Sequence, residues 1–161
     1  MPDDMPAESF EALTLRPEQT RSVTKGTRIL LRSLGHAVLS EFPLPNGRRA
    51  DLAALGRDGS IRIVEVKSSL ADFRADGKWR HYQPFCDRFY FAVPLALAES
   101  LLGGEIFPGE VGLIVADAYG AAVEREAPIQ ALAPAARRAL LVRFGALAAT
   151  RLHAALHPGE P

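Results

Sequence analysis

The chain has a single cysteine, Cys86, among 161 residues, so no internal disulfide can hold the fold and a hydrophobic core must. It has no excess of either charge: nineteen basic residues balance nineteen acidic ones, which excludes the broad positive field of a strongly basic nucleic-acid binder. Any such partner would have to be held by a local patch. No apolar stretch approaches the ~18 residues of a membrane span, and the opening MPDDMPAESFEALT lacks the basic segment and apolar run of a secretory signal. The natural setting is a reducing cytoplasm, away from any membrane. Histidine is scarce, and His36, His153 and His157 show no ligand spacing, which argues against zinc.

What is present is enough for one domain. With 48% hydrophobic residues, the chain can bury a core without a metal staple. Residues 1–16 carry acids, two of the prolines and little periodicity, and read as a disordered or loosely packed tail; a single domain is expected over 17–161. From Pro17 to Gly35, Val23, Thr27, Leu30 and Leu34 recur at helical spacing, with Gly35 at the cap. On the opposite face Arg21, Lys25, Arg28 and Arg32 form one stripe. Taken alone that stripe reads as a solvated helix face; beside a phosphate site it becomes a DNA-facing surface.

Three strands follow, HAVLSEF, RADLAAL and SIRIVEVK, separated by PLPNG and GRDG turns. Ser69 and Asp72 open a short helix that Gly77 stops. DRFYFAVP reads as a buried strand, LALAESLL as a helix, EVGLIVADA as another strand with a short partner near 122–125, and Pro134 to Leu156 as a closing alanine-rich helix. The order predicts an α/β fold, a mixed central sheet flanked by helices.

One strand breaks its own pattern. Alternation puts Ile61, Ile63, Glu65 and Lys67 on one face, so an acid and a base stand where two more hydrophobes belong. If Arg57, Asp58 and Gly59 form a three-residue hairpin loop, Leu55 pairs with Ile61, and counting outward sets Asp51 opposite Glu65. Two carboxylates facing across antiparallel strands cost about 0.2 to 1 kcal/mol unless a cation lies between them. Oxygen ligands with open positions suit Mg²⁺ or Mn²⁺. Lys67 stands where it can orient or deprotonate an attacking water and stabilise a phosphorane-like transition state. The plain alternative is a solvated Glu-x-Lys ion pair, but the apolar approach through IRIV, the acid across the hairpin and the capped helix after it favour a site.

These residues resemble a known family. Asp51 followed by Glu65-Val66-Lys67 is similar to the PD-(D/E)XK signature of restriction-endonuclease-like nucleases, with Ala50 in place of the naming proline. More closely, GRRADLAAL, IVEVKSSLADFRADGKW and YQPFCDRFYFAVP resemble the MmcB-related DNA repair proteins of bacteria, from about Arg21 to Val115. The resemblance implies a restriction-endonuclease-like core, a divalent metal held by Asp51 and Glu65, and Lys67 as catalytic lysine. It further implies the backbone carbonyl of Val66 as a ligand and Glu41 as an additional acid.

DNA would be the substrate, met by Arg48 and Arg49 ahead of the Asp51 strand and by Lys78, Trp79 and Tyr82, where cations interleave with aromatics. Trp79 and Tyr82, three apart, are more often core packing. Two functions stand out, a metal-dependent nuclease of DNA repair and a catalytically weak DNA-binding module within a repair assembly, with other repair proteins as partners. A structural domain whose Glu-x-Lys is only an ion pair is the third.

Overall fold

The protein is described by a computed structural model covering residues 7–104 and 107–161, with side chains from residue 17 onward. Six strands form one open sheet in chain order: β1 (Ala37–Pro43), β2 (Arg49–Leu55), β3 (Ile61–Val66), β4 (Arg88–Val93), β5 (Gly112–Ala116) and β6 (Ala121–Arg125). The first three pair antiparallel, β4 and β5 run parallel to β3, and β6 returns antiparallel. Parallel neighbours need a crossover. The first passes through α2 (Leu70–Ala75) and two 3-10 turns, Trp79–His81 and Gln83–Phe85; the second passes through α3 (Leu95–Leu102).

The two sheet faces have different covers. Ile61 and Ile63 point into a core with Phe73 of α2, Trp79, Leu97 of α3, and Leu140 and Phe144 of α4 (Pro134–Leu156). Val64 and Val66 point the other way, against Val23 and Leu31 of α1 (Ala7–Ser33). Because β3 is buried on both faces it reads as a nearly unbroken apolar run, and a charge within it has no water to turn to.

The architecture agrees with the predicted mixed α/β sheet, while two details differ. α1 starts at Ala7 and runs through Pro17, so residues 7–16 are helical where a loose tail was expected; residues 1–6 lie outside those described. Alanine, glutamate and leucine in this stretch are good helix formers, and the acidic composition hid that. Gly26, mid-helix, is required by contact: a Cβ there would lie 2.1 Å from the Asp117 carbonyl oxygen and 2.3 Å from that of Gly120. The glycine lets α1 touch the β5–β6 turn. By length and composition alone α4 is apolar enough to cross a membrane, which the sequence reading had not recognised. Leu140 and Phe144 nevertheless pack in the core, and Arg137 and Arg151 bond to the sheet side of the domain.

Arg137 belongs to a buried clamp. Asp87, just before β4, accepts from the Ile61 N–H at 2.8 Å, the Leu132 N–H at 3.0 Å, and both terminal nitrogens of Arg137 at 2.7 and 2.8 Å. One carboxylate thus joins the starts of β3, β4 and α4. Burial opposes its ionisation, yet the Arg137 and backbone hydrogen bonds outweigh that and hold it down to about 2. A folded-state value below the unfolded one adds stability at neutral pH, lost as pH falls through about 2. Arg137→Ala should therefore lower stability at neutral pH by about 2 to 3 kcal/mol. Urea denaturation followed over pH checks this: the deficit should shrink on acidification as Asp87 takes up its proton.

Candidate active site

The β2–β3 hairpin turns as its sequence requires. Gly59 lies at φ +81, its N–H donates to the Gly56 carbonyl at 3.0 Å, and the Gly56 N–H donates to that of Ser60 at 2.8 Å. Leu55 pairs with Ile61 and the ladder continues to Leu52 and Val64. One step further Asp51 and Glu65 face each other, and there the ordinary rungs end. The Asp51 N–H donates to Glu65 Oε1 at 3.0 Å, and the Val66 N–H donates to Asp51 Oδ2 at 2.8 Å. Each acid clasps the backbone of the other strand. On the outer side, Ser40 pairs with Leu52 and Phe42 with Ala50, leaving Glu41 between them at φ 53. A left-handed glutamate costs about 1 to 2 kcal/mol; Arg151 of α4 braces it, donating to its carbonyl at 2.9 Å.

Burial shapes the charge of the pair. Glu65 is only 6% exposed. Its carboxyl is pushed well above the usual glutamate range, first by burial and then by the Asp51 charge. Asp51 is raised as well, by burial and by repulsion from Glu41, against the Val66 hydrogen bond. Both acids therefore resist ionising together, as adjacent buried carboxylates do when no cation separates them.

The donor set fits a small hard dication. Each acid spends one oxygen on the clasp, and the second oxygen of each makes no hydrogen bond among the described residues. No group of three or more His, Cys, Asp or Glu side chains is arranged to hold an ion among the described residues. Two carboxylates would leave the other positions to a backbone oxygen, water and phosphate, a pattern suited to Mg²⁺ or Mn²⁺ and unlike a closed zinc site.

Glu65 opens on a cleft of about 400 Å³ whose walls include Thr20, Arg48, Lys67, Asp76, Lys78 and Tyr82. Lys67 follows β3 directly, its N–H bonded to the Ala92 carbonyl at 3.0 Å. Its ammonium lies 2.7 Å from Asp76, with the two side chains 17% and 11% exposed. Sequence reasoning missed Asp76, because Asp-Gly after a short helix reads as a stop signal. Tyr82 donates to the Arg49 carbonyl at 3.4 Å, and burial followed by the Glu65, Asp51 and Asp76 charges lifts its phenol to about 12. It therefore stays protonated.

Not every predicted contact gathers here. Arg48 and Lys78 line the cleft. Arg49 pairs with Glu41, so Glu41 acts on Asp51 by charge and is not among the cleft's walls. Trp79 is buried against Phe89, ring centroids 6.2 Å apart, under the Arg80 guanidinium. Core packing replaces the stacking on bases expected of it. Arg21, Lys25, Arg28 and Arg32 are exposed on α1, which covers the sheet face opposite the acids; the α1 residue that reaches the cleft is Thr20. Alternation along β3 imposes this separation.

Fold and site define the class: an α/β protein whose open mixed sheet carries two clasped carboxylates, one of which lines a cleft beside a lysine. The chain belongs to the MmcB-like family, described as DNA repair protein MmcB-like, whose model matches residues 11–159. Among solved structures it is similar to the SPO1766 protein of unknown function from Silicibacter pomeroyi. The two share 40% sequence identity at a TM-score of 0.80, over 89% of this chain and 95% of that one. Comparison with curated proteins gives no match.

The acid pair makes a prediction about the metal-free protein. A carboxyl raised on folding contributes stability at low pH that is lost as pH rises through the raised value. Glu65→Gln removes one of the two like charges, so the variant should melt above the wild type at mildly alkaline pH, by a few degrees for ~1 kcal/mol. Mn²⁺ should raise the melting temperature of the wild type and not of the variant. Thermal melts with and without Mn²⁺ over pH check both effects.

Proposed function

We propose that the protein is a metal-dependent nuclease that hydrolyses DNA phosphodiester bonds during repair, using Mg²⁺ or Mn²⁺. The reading is supported by one arrangement: Glu65 and Lys67 line a single cleft, with Asp51 clasped to Glu65 across the hairpin, in a member of a DNA repair family. Asp51 and Glu65, with the Val66 carbonyl, would hold the ion, which when bound supplies Lewis-acid polarisation of the phosphate. The buried acids lend it a water-poor setting in which charge interactions are strong.

Lys67 brings its ammonium to the same cleft from two residues beyond Glu65. There its ammonium orients the attacking water and bears on the negative charge that builds on the phosphoryl oxygens. Arg48 and Lys78 offer cations to flanking phosphates, which set register without reading sequence. Tyr82 remains a neutral hydroxyl donor facing the acids. The cytoplasm is the compartment this reading requires, and DNA the partner, with other repair proteins alongside.

A second reading keeps the DNA surface and gives up turnover. Two observations favour it: the chain carries no net charge, and Lys67 is already engaged by Asp76. The protein would then serve as a DNA-binding accessory of a repair complex.

Cleavage of labelled single-stranded, duplex, flapped and abasic DNA by wild type and Lys67→Ala, in Mn²⁺ and in EDTA, separates the two. The nuclease reading expects cutting in Mn²⁺ alone, reduced by roughly 100-fold or more in the variant. Binding without cutting, with the same salt dependence in both proteins, supports the accessory role.

A further inference from the structure

Lys67 is a flexible side chain that must be held in place, and the proposed reaction does not by itself say what holds it. A lysine stem is long and has many rotamers, and an unrestrained ammonium near Asp51 and Glu65 would be drawn onto those acids. The structure gives it another partner. Asp76 caps the C-terminus of α2, its N–H donating to the Phe73 carbonyl at 3.3 Å. One carboxylate oxygen, Oδ2, takes the Lys67 ammonium at 2.7 Å. The other, Oδ1, accepts the Lys78 N–H at 3.0 Å. Both oxygens are thus committed, one to the Lys67 ammonium and one to the backbone of the turn that follows α2.

The carboxylate is itself anchored. α2 is capped by Ser69, whose hydroxyl accepts the Asp72 N–H at 3.2 Å. Phe73 packs against Phe91 and Phe107 at centroid distances of 5.1 and 5.9 Å. A short helix with a buried aromatic anchor fixes the acid at its end. The Lys78 contact also ties the turn bearing Lys78 and Tyr82 to the same group.

We propose that Asp76 is the positioning residue of Lys67: it holds the ammonium on the α2 side of the cleft, off the Asp51–Glu65 pair, and couples it to the turn at 78–82. The assignment rests on the nuclease reading for its consequence. With the ammonium drawn to one side, an ion on the two acids and the lysine can bear on the same phosphate from different directions. A lysine released from Asp76 would instead compete for the acids.

Asp76→Asn tests this, because the amide oxygen can still accept the Lys78 N–H while the charge that holds Lys67 is gone. The chain has three lysines, Lys25, Lys67 and Lys78, so reductive methylation with labelled formaldehyde reports on each by peptide mass spectrometry. In the wild type Lys67 should label slowest; in Asp76→Asn its rate should rise several-fold with Lys25 unchanged. In Mn²⁺, kcat for DNA cleavage should fall roughly 10-fold to 100-fold with KM little changed, and Asp76→Glu should recover part of it. Ser69→Ala, which removes the other cap of α2 and leaves Lys67 alone, should lower the melting temperature without the loss in kcat; an equal loss there reduces Asp76 to a helix cap and overturns the proposal.

Cleavage by Asp76→Asn within twofold of wild type, or unchanged Lys67 labelling, also overturns it. Should the wild type cut none of the DNA substrates, the nuclease reading fails and labelling decides the role of Asp76. Faster labelling in Asp76→Asn keeps it as the residue that positions Lys67; unchanged labelling removes it.

Discussion

Two carboxylates face each other across the end of the β2–β3 hairpin, and the cleft is organised around the cost of keeping them there. Asp51 and Glu65 repel, and burial, deep at Glu65 and partial at Asp51, raises both carboxyls. What offsets this within the chain is the exchange of one backbone N–H in each direction, Asp51 to Glu65 and Val66 to Asp51. The ordinary ladder yields at that point, and Glu41 takes a left-handed conformation one strand further out.

The rest of the fold supplies rigidity to that centre. β3 is buried on both faces, between α1 on one side and α2, α3 and α4 on the other, so the clasped pair meets solvent only through the cleft at its end of the strand. At the opposite end of the strand, the Asp87 clamp fastens Ile61 to Leu132 and Arg137. One end of β3 is thus tied by a satisfied ionised acid and the other carries two acids short of cations. The contrast comes from partners: Asp87 has a guanidinium and two backbone donors, while Asp51 and Glu65 have one backbone donor each. Charge compensation separates the satisfied acid at one end of the strand from the uncompensated pair at the other.

Much of the site was legible in the primary structure. Period-two alternation gave the shared face of Glu65 and Lys67, and Gly59 fixed a hairpin whose register set Asp51 opposite Glu65. Ser69 was legible as a helix cap because its hydroxyl acts within three residues. Asp76 was not, since nothing in ADGKW indicates that a helix end will fold back on a lysine nine positions earlier. Trp79 was ambiguous for a related reason: a cation-flanked aromatic looks the same whether it stacks on a base or on Phe89. The α1 stripe showed which residues share a helix face, and left open which side of the sheet that helix would cover.

The sequence by itself determined the succession of helices and strands along the chain, the hairpin register, the acid pair and the lysine beside it, along with membership of a DNA repair family. These follow from short-range rules of turn geometry and alternation, which act over a few residues. Tertiary structure alone decided that Asp76 would hold Lys67, that Trp79 would be core, that Gly26 would meet the β5–β6 turn, and that the α1 cations would stand behind the sheet. Each depends on where a helix docks, and docking is set by the packing of whole faces rather than by the residues whose roles it fixes.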